Sequence, residues 1–279
     1  MKKIAVITDS TSVIDESILE VNDNLYSVPL HIVFNEKSYR DGIDISSDEF
    51  FEKMSDSSIL PTTSQPSVGE VIELLESIKE KYDHIIYITI SSGISGTYQT
   101  GMLAKNEVSD NITVFDSLIT SVVQKEMVLE TLNMINENKL IEKITENLER
   151  IRTNSNVLLV VDDLKHLNRT GRISLTTASI GNMLKLKPIL SFVDGKIVVK
   201  KKIRTLRKAH SHIVEFVTEI GIASDSKLMI AHAKGFEAAS RLKDELLGIY
   251  PHHEITISEL SPVISLHTGP NTVGIAWIK

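Results

Sequence analysis

The chain has no cysteine. Disulfide staples, thiolate catalysis, zinc fingers and cysteine-ligated iron–sulfur clusters are excluded, and a reducing compartment is permitted. Long apolar runs are missing as well: those near Ile85–Ile90 and Val157–Val161 are far too short to span a bilayer. The opening residues reach Asp9 before the apolar centre of a signal peptide can form. Nor is there an excess of positive charge. Thirty Lys and Arg against 37 Asp and Glu leave −7, so no general field draws the chain onto nucleic acid or an anionic membrane, and any such contact has to be local. Internal repeats and low-complexity linkers are absent. These absences point to a soluble cytoplasmic protein.

What remains is an ordinary globular composition, with 42% hydrophobic and 24% charged residues. At roughly 150 residues per domain, 279 residues suggest two domains or one large one. Short β-branched runs at Lys3–Thr8, Asn24–Phe34, His84–Ile90, Asn111–Phe115 and Asn156–Val161 predict strands separated by helices, the pattern of a mainly parallel sheet. Ser67-Val68-Gly69-Glu70 is a capping box ahead of apolar residues at helical spacing. Two helical patterns between Ser117 and Thr153 divide near Asn136-Glu137-Asn138-Lys139. Beyond Pro188 the pattern changes. Ile189–Val193 and Ile197–Ile203 flank Asp194-Gly195, a two-residue hairpin turn that implies antiparallel pairing. Helices at Leu206–Ile220 and Glu237–Leu247 then alternate with strands at Leu228–His232, Glu254–Leu260 and Thr272–Ile278. The expectation is an N-terminal α/β domain over 1–155 and a C-terminal α+β domain over 156–279 with a smaller, mainly antiparallel sheet.

Three predicted strands end in small hydroxyl or acidic residues, where ligands gather in open α/β sheets. Thr8-Asp9-Ser10-Thr11-Ser12 and Asp116-Ser117 serve equally well as helix caps. Ser91-Ser92-Gly93-Ile94-Ser95-Gly96-Thr97 resembles an anion seat, since two glycines among hydroxyls let backbone N–H groups face one small anion. It matches neither a phosphate loop nor the Gly-x-Ser-x-Gly elbow. A second hydroxyl stretch, Thr62-Thr63-Ser64, sits between Pro61 and Pro66 and reads as a restrained loop whose donors suit a carboxylate or phosphate. Arg169-Thr170-Gly171-Arg172 offers guanidinium forks, either for an oxyanion or for an acidic surface. His267 is read as a loop residue before the last strand. The other histidines assemble into no metal-ligand pattern and read as surface residues. A cluster of Lys and Arg from Lys196 to Lys208, without an acid, reads as a guarded strand edge, with a docking surface as the alternative.

Taken together, these segments resemble the DegV family over nearly the whole chain. The resemblance is carried by Ile7–Ser12, Pro61–Glu70, Ser91–Gln99, Gly171-Arg172-Ile173, Lys187–Leu190 and His267-Thr268-Gly269-Pro270. Many members have Gly-Gly-Arg where Thr170-Gly171-Arg172 stands, a difference that keeps the Arg. The resemblance implies a long-chain fatty acid bound between the two domains. Its carboxylate would be met by the hydroxyls of Thr62 and Thr63 and by Ser92 with the Gly93 backbone, with Arg172 and His267 as charged neighbours. Similarity of Val160–Leu167 and Arg169–Arg172 to one branch implies a binding subunit without catalysis of its own. It would present the acyl carboxylate to a separate ATP-dependent fatty acid kinase subunit in phospholipid metabolism, with a transient membrane contact and no nucleic acid partner. No metal or cofactor is implied beyond the bound fatty acid. The helix at Ser174–Lys185 is a candidate wall of the tunnel. Two other readings stand beside this one: an acyl or phosphoryl hydrolase using Ser92 or Ser95 with His267 as base, and an adaptor acting through Lys196–Lys208.

Overall fold

A computed structural model describes residues 2–56, 61–173, 186–223 and 226–278, so the expected helix at Ser174–Lys185 lies outside the described residues. The chain divides into two compact units, one of Met1–Thr153 with Ser261–Val263, the other of Asn154–Leu260 with Ile264–Lys279.

In the first unit, the strands β1 (Ile4–Asp9), β2 (Leu25–Val28), β6 (His84–Thr89) and β7 (Ile112–Asp116) form a four-stranded sheet in the order β2-β1-β6-β7. Every pairing in it is parallel. β1 is buried at every position, the mark of a strand covered on both faces. Ala5, Ile7, Ile85 and Tyr87 pack with Val71, Leu75 and Ile78 of the helix Val68–Ile78 and with Ala104 of the helix Thr97–Val108. On Thr8 and Ile88 lies Gln124 of the helix Ser121–Asn136, whose Nε2 donates to Thr8 Oγ1 (3.2 Å) and the Ile88 carbonyl (3.4 Å).

The expected strand at Asn24–Phe34 is two strands. Pro29 ends β2, because proline has no N–H to give a ladder, and the chain restarts as β3 (His31–Phe34) in a separate antiparallel sheet of order β4-β3-β5. β4 (Lys37–Arg40) and β5 (Thr62–Ser64) are its partners. Thr62 and Thr63 therefore sit on a short strand and not in a loop: Thr62 is registered with Val33 and Thr63 with Ile32.

The second unit holds a six-stranded sheet, larger than expected, in the order β10-β9-β8-β13-β11-β12. Its strands are β8 (Ser155–Val160), β9 (Lys187–Val193), β10 (Lys196–Ile203), β11 (Leu228–Ala233), β12 (Ile255–Glu259) and β13 (Thr272–Ile278). All pairs are antiparallel except β11 with β12. Asp194 and Gly195 take positive φ of 48° and 76°, as a two-residue hairpin turn with matching twist requires. The helices Leu206–Ile220 and Phe236–Ile249 bury Ile213, Val217, Leu242 and Leu246 against Leu158, Ile230, Ile275 and Trp277. Leu164, Leu167 and Ile173 cluster with Val161 and Leu190. β10 is an edge strand with Lys196, Lys200, Lys201 and Lys202 exposed, so its unpaired edge is protected by charge.

The capping box forms as read. Ser67 N–H donates to Glu70 Oε2 (2.8 Å) and Glu70 N–H to Ser67 Oγ (3.2 Å). Ser67→Ala removes one half of that exchange, and the expected cost is about 1 kcal/mol, read as a lower urea midpoint with an unchanged slope.

Candidate functional site

The first hydroxyl cluster turns inward. Asp9, fully buried at the end of β1, accepts the Ile90 N–H (2.7 Å) at the end of β6, the Thr11 N–H (3.1 Å) and the Thr11 hydroxyl. It thereby caps the 3-10 turn Ser10–Ser12. Ser10 Oγ donates to Asp41 Oδ2 (2.8 Å) and accepts the Leu30 N–H (3.1 Å). Asp41 also accepts from Ser261 and from the Val263 N–H. Burial raises both carboxyls above their ordinary range, Asp41 to about 6, while the hydrogen bonds from Thr11 to Asp9 and from Ser10 to Asp41 pull the other way. The half-buried Asp116 also caps its strand end, its Oδ1 accepting from Ser92 N–H (3.0 Å) and Leu118 N–H (3.1 Å). At these two strand ends the capping role prevails.

The loop from Ser91 to Thr97 is organised by its own polar groups. Ser91 N–H donates to the Ile119 carbonyl (2.8 Å) and Gly93 N–H to Ser91 Oγ (3.1 Å). Ile94 and Ser95 N–H both donate to the Ser91 carbonyl (3.2 and 3.1 Å). The Ser95 and Thr97 hydroxyls lie 2.9 Å apart. The backbone donors of Ser92 and Gly93 thus already serve Asp116 and Ser91, leaving the exposed Ser92 hydroxyl as the outward-facing polar group at that residue. The Thr62–Ser64 strand is anchored to this loop: Gln65 packs so closely on Gly96 that an added Cβ would meet Gln65 Nε2 at 2.7 Å. A side chain at 96 would displace the Gln65 amide that packs there. Thr62 is exposed and Thr63 half-buried.

In the second unit, His267 lies on the helix Pro262–Thr268 and not in a loop. It is 7% exposed. Burial, then the charges of Arg172, His166 and Arg169, push its pKa down to about 3, which favours the neutral imidazole over the charged neighbour that the family resemblance implied. Arg172 is half-buried and donates Nη1 to the Thr170 carbonyl. Arg172 and His267 are thus within electrostatic reach of each other.

His166 was not singled out from the sequence. It is half-buried, hydrogen-bonds the Leu266 backbone, and packs against Gly269. Gly269 has φ +79°, and a Cβ there would meet His166 Cδ2 at 3.1 Å, so only glycine suits the turn after the His267 helix. Two histidines separated by a hundred residues gave no spacing from which to find them. Lys187 Nζ pairs with Asp162 and its carbonyl (2.9 Å) in the same unit. The surface reading of the remaining histidines also fails for His232, which is 7% exposed on β11.

A parallel sheet covered on both faces, a mainly antiparallel second sheet, and inward-braced hydroxyl loops define a two-unit α/β protein. The model of the DegV family, otherwise described as uncharacterised protein, matches residues 3–279. A DegV domain-containing protein of Halalkalibacterium halodurans is 37% identical over 99% of both chains. The crystal structure of the fatty acid binding DegV family protein of Streptococcus agalactiae superposes with a TM-score of 0.92 at 31% identity, covering 100% of this chain and 99% of that one. DegV of Bacillus subtilis, a fatty acid binding protein, gives a TM-score of 0.89 at 38% identity over 100% and 99% of the two chains. The chain belongs to the DegV family.

The pH dependence of stability follows from the buried groups. Asp41 has a native pKa of about 6 against an ordinary 3.8, so the folded state binds the proton first. The penalty for burying its charge is full above about pH 6 and is relieved as pH falls toward 4. His267, depressed to about 3, acts in the opposite sense, contributing stability that is lost as pH falls through the ordinary 6.5 towards that value. Comparison with Asp41→Asn separates the two: lowering pH from 7 to 5 is expected to stabilise the natural chain relative to the variant by about 1 kcal/mol, measured by urea unfolding at both pH values. A constant difference refutes the assignment.

Proposed function

We propose that this chain binds a long-chain fatty acid and presents its carboxylate to a separate ATP-dependent kinase subunit, which phosphorylates it to an acyl phosphate. The observation that carries the reading is full-length similarity to the fatty acid binding DegV proteins of Streptococcus agalactiae and Bacillus subtilis. In this reading the first unit offers Thr62, Thr63 and Ser92 to the carboxylate, with Gly93 shaping the loop, and the second unit offers Arg172 and His267. The acyl tail runs between the two domains, and the chain itself performs no catalysis in the cytoplasm.

Physical chemistry divides the work between tail and head. Burying about 14 methylenes is worth roughly 11 kcal/mol gross at about 0.8 kcal/mol each. Carboxylate hydrogen bonds contribute a few kcal/mol, and association consumes part of the total. The tail therefore sets affinity and the head sets orientation. Neutral hydroxyls hold a sheltered carboxylate, while Arg172 steadies the charge that grows when a phosphoryl group arrives. A carboxylate beside His267 offsets the push from its cationic neighbours, so binding favours protonation of that ring. For Ser95 the hydrolase reading has less support, because that hydroxyl is partnered by Thr97 at 2.9 Å.

Gently purified protein is expected to carry stoichiometric fatty acid by native mass spectrometry, and Ser92→Leu or Thr62→Leu to lower that occupancy by leaving the head without donors. Empty protein that takes up neither oleate nor palmitate ends the reading. Arg172→Ala and His267→Ala are expected to keep lipid binding within a few fold while cutting acyl phosphate formation with the partner kinase at least about tenfold. Equal loss of lipid binding in both variants places these residues in the primary seat instead.

A further inference from the structure

The fatty acid reading leaves unused a cleft of about 630 Å³ that lies wholly within the second unit. That volume suits a small metabolite. The cleft opens at the carboxyl ends of β11 and β12, the parallel pair of the six-stranded sheet, joined through the helix Phe236–Ile249. Carboxyl ends of parallel strands are where open sheets take ligands. The 14-residue helix begins there behind Gly235, which supplies no side-chain cap. The first amides, at Phe236, Glu237 and Ala238, have no hydrogen-bond partner among the described residues, and they carry the positive end of the helix dipole.

A second observation points to the same place. His232 lines the cleft from the end of β11 and is 7% exposed, and its Nδ1 is buried without a hydrogen-bond partner among the described residues. A buried ring nitrogen without a partner is costly, and a ligand seated beside this ring in the cleft offsets that cost. Its ring meets Phe236 edge-on at 5.7 Å. Phe236 is 62% exposed beside it, an apolar face at the cleft mouth. Arg241, on the same helix, lines the cleft, holds Glu237 loosely at 3.7 Å and keeps most of its side chain exposed. Lys234 precedes the helix, and Glu259 closes β12 on the opposite side.

The two cations and two carboxylates balance, so the cleft does not attract polyanions. Its walls mix apolar Leu206 and Phe236 with four charged side chains, Lys234, Glu237, Arg241 and Glu259, a lining suited to a small amphiphilic molecule more than to an acyl chain. Helix amides, Arg241 and Lys234 match one phosphate, Glu259 accepts hydroxyls, and the Phe236 face covers a ring. We infer that this cleft binds a small phosphomonoester bearing hydroxyl groups, with its phosphate on the N-terminus of the helix Phe236–Ile249 and His232 donating to it. The inference does not rest on fatty acid binding.

Amide chemical shifts of the full chain, titrated with glucose 6-phosphate, inorganic phosphate and glucose, provide the test. Saturable movement of the Phe236, Glu237 and Ala238 amides is expected with glucose 6-phosphate and more weakly with inorganic phosphate, and none with glucose. Arg241→Gln, a change at an exposed side chain, is expected to weaken glucose 6-phosphate about tenfold, and His232→Gln to weaken it while the remaining spectrum stays native. No saturation by about 10 mM, equal response to glucose, or unchanged affinity in Arg241→Gln overturns the inference.

Discussion

The first unit depends on one buried carboxylate. Asp9 stands where β1 ends, and its two oxygens fasten the end of β6 through the Ile90 amide and the following turn through Thr11. Buried without those donors, a carboxylate would cost several kcal/mol. With them it locks the geometry from which the Ser91–Thr97 loop departs. The same logic repeats at Asp116, which holds the Ser92 amide. The exposed Ser92 hydroxyl owes its position to a wholly buried acid, Asp9, and a half-buried one, Asp116.

This explains what could and could not be read from residues in order. Continuous β-branched runs and a capping box report local preference, and they located the parallel strands and the helix Val68–Ile78 well. Asp194-Gly195 reported a hairpin because both residues tolerate positive φ. The division at Pro29 and the short strand Thr62–Ser64 were less visible, since three residues registered on β3 carry no periodicity of their own. The Ser91–Thr97 segment reads as a ready set of backbone donors, but in the fold most of those donors are spent on bracing the loop.

Titration behaviour was the least readable property. His267 looks like a potential cation in a string of letters, whereas burial beside Arg172 and His166 makes it neutral. His232 gives no sign in the sequence that its strand is covered, because a six-stranded sheet places β11 between β13 and β12. Protonation state is set by neighbours far apart along the chain, and sequence spacing contains no measure of that distance.

One peculiarity of chain tracing bears on biosynthesis. Residues Ser261–Val263 belong to the first unit although the second unit intervenes, and there they supply donors to Asp41. During vectorial synthesis the leading half therefore emerges from the ribosome incomplete, with an acid awaiting partners translated more than two hundred codons later. A fragment truncated after Thr153 would permanently retain that defect, making independent expression of the leading half a poor surrogate for the intact polypeptide.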